Sequence, residues 1–224
     1  MQRTKLDDRI LPNYSRGEEI FNSVSHIVGG VIGIAALVLC VVMATYHKDI
    51  YAVVSSAIFG ASLIILYTMS SIYHGLSPKL KAKKVFQILD HCSVFILIAG
   101  TYTPFTLCTF RRYSSKLGWT MFGIIWGIAI IGILLNSIDL KKFQAFSMIC
   151  YLGMGWAIVF KADILPQLLS NTGFALLIIG GLFYTIGAML YGIGKKKKWM
   201  HSIFHINCVI GSILHILCIL FYVV

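Results

Sequence analysis

Seven stretches of this chain are each long and apolar enough to cross a membrane as a helix, and that leaves few folds open. They run over about 24–46, 51–75, 85–109, 117–138, 143–160, 168–193 and 200–223, joined by short polar connections. A helix needs roughly 20 apolar residues to span the hydrocarbon. Only helices and closed β-barrels satisfy their own backbone groups there. A barrel requires apolar residues to alternate with polar ones, and runs such as "IIWGIAIIGILL" show no alternation. Charged residues make up 12% of the chain, about half the share found in soluble domains. The expected fold is an all-α, multi-pass cell-membrane protein: a seven-transmembrane helix bundle. The opening "MQRTKLDDRILPNYSRGEEI" is polar, unlike a secretory signal, whose apolar core lies close to the N-terminus. It reads as a short cytoplasmic tail, 1–22, leading into a transmembrane domain, 23–224.

Lys and Arg set the orientation of such a bundle. Fourteen of the 19 fall in the tail and in the connections after the second, fourth and sixth stretches, and five on the opposite side. The N-terminus is therefore expected in the cytoplasm and the C-terminus outside. This asymmetry accounts for the net charge of +11 without nucleic-acid binding, and it reads the lysine run Lys195–Lys198 as a topology signal that meets anionic lipid. The six cysteines lie in apolar runs without a C-x-x-C pair, which reads as buried small residues rather than disulfides or a metal cluster. Gly29-x-x-x-Gly33 and Gly123-x-x-x-Gly127 permit close helix approach, and Pro104 is expected to bend the third helix.

The polar residues inside the apolar stretches are the informative ones. His74 lies within a turn of the cytoplasmic end of the second stretch. Asp90 lies ~8 Å in from the same side on the third, and His201 and His205 lie ~5 and ~10 Å in on the last. Residues four apart share a helix face, so His201 and His205 point together, and Ser70 stands one turn above His74. Three histidines and a carboxylate from three helices thus share one shallow slab. Three imidazoles leave a fourth position open, as catalytic zinc sites do, whereas structural sites close with four protein ligands. Zn²⁺ suits this donor set, though ligand type leaves iron, nickel and copper open. Asp90 would then orient a water or accept its proton, and Ser70 would hydrogen-bond that water or an imidazole. Intramembrane His and Asp also build proton relays or interhelical hydrogen bonds, and both alternatives stand at this point. His215 lies ~15 Å beyond His205, too far for the same metal, and reads as an interhelical hydrogen-bond residue. His26 is the best additional site residue, although a structural role suits it too; His91 reads as a neighbour contact and His47 as solvated.

The ordered set resembles the hemolysin III family of the progestin and adipoQ receptor superfamily, which includes the adiponectin receptors. The likeness rests on "SSIYH" (Ser70 to His74), "QILDHCSVFILIAGTYTPF" (Asp90), and "HSIFH" (His201 and His205) with "GSILH" after it. The first-helix stretch "EEIFNSVSHIVGG" is similar too. The resemblance implies a seven-helix bundle with a cytoplasmic N-terminus, zinc held by His74, His201 and His205, and Asp90 beside the metal's water. It also implies a zinc-dependent lipid amide or ester hydrolase of ceramidase type acting in membrane-lipid homeostasis, with a membrane lipid as substrate or ligand. Two other readings remain: a channel-forming cytolysin, and a receptor or sensor whose zinc is structural. The chain offers no switch segment or wide polar stripe for the former and only a short tail for the latter.

Overall fold

The computed structural model describes residues 3–194 and 197–224, so Lys195 and Lys196 of the four-lysine run lie outside the described residues. Among the described residues, six helical rods are long and apolar enough to cross a membrane. They comprise α1 (Arg16–Tyr46), α2 (Ile50–Gly75), α3 (Lys81–Pro104) with its continuation, α5 (Ser115–Trp156), α6 (Leu165–Gly194) and α7 (Met200–Tyr222). The continuation of α3 is a π-helical segment, Phe105–Phe110, and a three-residue turn, α4 (Arg111–Tyr113). No strand occurs among the described residues.

The six rods meet the seven expected stretches with one difference. Stretches 117–138 and 143–160 fall in the single run α5, extended by the 3-10 turn Ala157–Lys161. That run is not straight. Asp139 is extended (φ −157°, ψ 94°), and its carboxylate accepts from the Lys142 N–H at 3.1 Å, capping the half that follows. The two halves double back on each other. Ser147 donates to the Asn136 Oδ1 at 2.6 Å, and the Asn136 amide donates to the Tyr151 hydroxyl at 3.3 Å. On a continuous helix, residues eleven apart would be separated by ~16 Å. The sequence placed a polar connection here, and the structure needs little more than one capping aspartate. A similar break occurs early in α6, where Ser170 takes φ 60° and its hydroxyl accepts from the Gly173 N–H at 3.4 Å.

Helix starts are fixed by local chemistry. Ser15 and Glu18 form a capping box at α1, with the Glu18 N–H on the Ser15 hydroxyl (3.3 Å) and the Ser15 N–H on the Glu18 carboxylate (2.9 Å). Asp49 caps α2 through the N–H groups of Tyr51 and Ala52. Pro104 sits inside α3, and the π-helical segment follows directly. The Thr103 and Thr106 hydroxyls donate to the Ala99 and Tyr102 carbonyls at 2.8 and 3.0 Å, so side chains supplement the backbone bonding around the proline.

Small residues set the helix approach. A Cβ on Gly29 would lie 2.6 Å from the Tyr67 ring, one on Gly33 3.1 Å from Leu63 Cβ, and one on Gly60 2.6 Å from the Leu37 Cα. So α1 and α2 pack backbone to backbone, as small-residue spacings allow in lipid. The second spacing does not behave this way: a Cβ on Gly123 or Gly127 would meet nothing within 4 Å. Those two glycines face no neighbour among the described residues. Further contacts run from α2 to α3, α3 to α5, α6 to α7 and α7 back to α1, whereas α5 touches α6 only lightly. All six cysteines are free and five are buried. Gly60→Ala should destabilise the protein by about 1–3 kcal/mol through overpacking against the α1 backbone. Gly123→Ala should leave stability unchanged or slightly raised. Thermal unfolding of the two variants in detergent checks the contrast.

Candidate metal centre

The N-terminal turn of α1, the C-terminal end of α2 and the first turns of α3 and α7 meet at one end of the bundle. Glu18 makes the first tie. Beyond its capping role it accepts the Trp199 N–H at 2.7 Å, holding the residue before α7, whose φ of 65° is unusual for a bulky side chain. Glu19, its neighbour, turns the other way. One carboxylate oxygen lies 2.6 Å from His74 Nδ1 and the other 2.6 Å from Lys83 Nζ.

His74, His201 and His205 are buried, and their ring nitrogens converge. His74 Nε2 lies 3.3 Å from His201 Nε2, which lies 3.0 Å from His205 Nε2. One ligand atom from each residue lies within 4.8 Å of the others. A tetrahedral Zn²⁺ with Zn–N bonds near 2.0–2.1 Å places its nitrogens about 3.3 Å apart, so two edges of the triangle already match. Glu19 decides the role of the His74 ring: a carboxylate only accepts, so Nδ1 carries the proton and Nε2 keeps its lone pair for the shared point. His201 Nδ1 and His205 Nδ1 are buried without a hydrogen-bond partner among the described residues. The donor set and its geometry fit a divalent cation.

The other residues singled out in the sequence distribute around this point. Ser70, Asp90, His201 and His205 line one cavity of about 620 Å³. Ser70 and Asp90 face this cavity together, and the Asp90 side chain is 16% exposed. His26 is closer to the site than a purely structural histidine: its ring stacks on His205 (centroids 3.8 Å apart), and neither ring nitrogen has a hydrogen-bond partner among the described residues. His215 bonds across to α6, its Nε2 3.1 Å from the Leu177 carbonyl oxygen, in space left by Gly180. His91 contacts the Gln87 carbonyl and the Tyr191 hydroxyl, and His47 is exposed.

Four participants were not singled out in the sequence. Glu19 had a faint signal, a carboxylate entering an apolar helix in a chain with eight acidic residues. Lys83 had none: it counted as a connection charge, yet it is 1% exposed and packed into the site. The Asn22 amide nitrogen lies 3.5 Å from His74 Nδ1, a contact and not a hydrogen bond once Nδ1 donates to Glu19. Tyr14 stacks on His201 (centroids 4.7 Å, 21° between planes), and burial, reinforced by Tyr191 and Glu19, pushes its phenol far above the usual value, so the ring is neutral.

Tyr14 ends a strap that crosses the cavity mouth. The Arg3 Nε donates to the Ile138 carbonyl at 2.8 Å and the Thr4 N–H to Asp139 at 2.8 Å, so the strap is pinned where α5 doubles back. Lys84 donates to the Asp7 carbonyl at 2.6 Å. Arg9, Leu11 and Tyr14 line the cavity from this side, and Trp156 and His215 line its far end.

Residues 14–216 match the family described as Haemolysin-III related. This chain belongs to that family. It is 39% identical over 206 residues to Hemolysin-3 of Bacillus cereus, covering 92% of each chain. To the Hemolysin-3 homolog of Bacillus subtilis (strain 168) it is 38% identical over 207 residues, 92% of this chain and 95% of that one. A weaker likeness, 25% over 180 residues, joins it to the adiponectin receptor protein of Drosophila melanogaster, covering 70% of this chain and 40% of the receptor. The haemolysin-III family and the apolar helices together make it a multi-pass membrane protein. In this haemolysin-III protein, Tyr14→Ala should raise the rate at which diethyl pyrocarbonate acylates His201 several-fold. Peptide mass spectrometry reads the rate, and an unchanged value would mean that the strap does not shield the ring.

Proposed function

We propose that this haemolysin-III protein is a zinc-dependent intramembrane hydrolase of lipid amide or ester bonds, built as seven crossings with its site near the cytoplasmic face. The convergence of three imidazoles, with His201 Nε2 at 3.3 and 3.0 Å from the Nε2 atoms of His74 and His205 and all three ligand atoms within 4.8 Å, beside a lined cavity is the observation that carries the reading. Two features support the seventh crossing. The 42 residues of α5 would reach ~63 Å if straight, about twice the hydrocarbon thickness. The Asn136–Ser147 bond folds them into two antiparallel halves. The distribution of Lys and Arg supports a cytoplasmic N-terminus and an outer C-terminus.

His74, His201 and His205 would hold the cation. Zn²⁺ bound by three imidazoles acts as a Lewis acid that polarises a carbonyl and acidifies water. The remaining chemistry belongs to this chain. Asp90 faces the cavity as the general base, taking the proton from the attacking water and delivering it to the leaving amine or alcohol. Ser70 faces the same cavity. The cavity has the size of a small-molecule site, and Val94, Leu97, Ile98 and Leu152 give it an apolar body between the polar mouth and Trp156. An acyl chain fits that body with its linkage at the histidine end. Tyr14 and the strap cover the mouth on the aqueous side and limit the water that reaches the reacting carbonyl.

Metal analysis of the purified protein should find near-stoichiometric zinc, lost in His205→Ala. Asp90→Ala should keep its zinc and lose about 10²–10⁴-fold in hydrolysis of ceramide or ester lipids. A His74→Ala protein that lacks zinc and hydrolyses at the full rate would refute the proposal. Red-cell lysis that persists undiminished under chelation would favour the cytolysin instead.

A further inference from the structure

We infer that Glu19 is a positioning residue of the three-histidine site: it fixes the His74 ring, places a negative charge behind it, and thereby sets the affinity of the site for a divalent cation. The inference rests on the metal reading above and extends it to a residue outside the donor set.

Three observations carry it. The Glu19 Oε2 to His74 Nδ1 contact is short, 2.6 Å, and joins an acceptor to the one ring nitrogen that faces away from the shared point. Such a bond orients an imidazole and makes its other nitrogen a better donor to a metal. Next, Glu19 is itself held. Lys83 donates to its second oxygen at 2.6 Å and to the Leu76 carbonyl at 2.9 Å, just past the end of α2. The lysine is buried, so the carboxylate is clamped between α2 and α3 with its charge balanced in a place where an unpaired charge would be costly. Finally, the arrangement is asymmetric. His201 and His205 have no Nδ1 partner among the described residues, so His74 is the ring anchored by a carboxylate. Glu18 cannot substitute, because its oxygens are engaged by Ser15 and Trp199.

A plain structural role, an ion pair tying α1 to α3, makes a different forecast. It would lower the stability of Glu19 variants and leave the zinc affinity of the folded protein unchanged. The full-length protein in lipid nanodiscs, titrated with Zn²⁺ against a competing chelator, separates the two. Glu19→Ala should bind zinc about 10–100-fold more weakly. Glu19→Gln, which keeps the shape and an acceptor but not the charge, should fall between it and wild type, and it carries the test if the alanine variant does not fold. Ser15→Ala weakens the same helix start without touching His74, so it should bind zinc as wild type does while melting lower. Glu19 variants that bind within twofold of wild type would overturn the role of Glu19 and leave the metal centre standing. Wild-type protein that takes up no zinc would overturn both.

Discussion

Polar groups inside hydrocarbon have one another to bond to and little else, and this constraint organises the protein. Where helices carry polar side chains, those side chains meet. Tyr67 of α2 and Tyr184 of α6 both bond the Ser212 hydroxyl of α7 at 2.6 Å. Asn136, Ser147 and Tyr151 bind the halves of α5, and Tyr151 donates in turn to the His91 carbonyl of α3 at 2.6 Å. At the end of the bundle where α1, α2, α3 and α7 meet, the same constraint draws Glu19, His74, Lys83, His201 and His205 into one knot. Each group there would be costly alone; together they bury charge and imidazole with partners.

That knot is also where chemistry becomes feasible. Three imidazoles converge, a carboxylate and a serine line the adjoining cavity, and the cavity continues into apolar walls. The cavity thus runs from a polar mouth to an apolar body, the gradient that the lipid hydrolysis proposed above requires. The strap of residues 3–14 adds a boundary on the aqueous side, pinned at the turn of α5. The candidate metal centre, the cavity and its cover are therefore contributed by segments far apart in sequence but gathered at one end.

Most of the site was legible in the sequence because its residues are anomalies there. A histidine or aspartate within an apolar run needs a reason, and helical spacing gave His201 and His205 a common face. Depth then aligned them with His74 and Asp90. The reading failed where residues were ordinary in their local context. Lys83 looked like one more charge in a basic connection. Gly123 and Gly127 looked like Gly29 and Gly33, but only the latter pair faces another helix. Asp139 looked like part of a polar connection, whereas it is the single extended residue at which a long helix reverses.

The sequence by itself determined the class of fold, the apolar stretches and the residues too polar to be idle within them, because hydropathy and helical period are properties of a segment alone. Tertiary structure decided which glycines became contacts, that Glu19 rather than Glu18 reaches His74, and that Lys83 is buried and Tyr14 lies over His201. Those outcomes depend on how separate helices dock, and nothing within one segment records the face its neighbour will present.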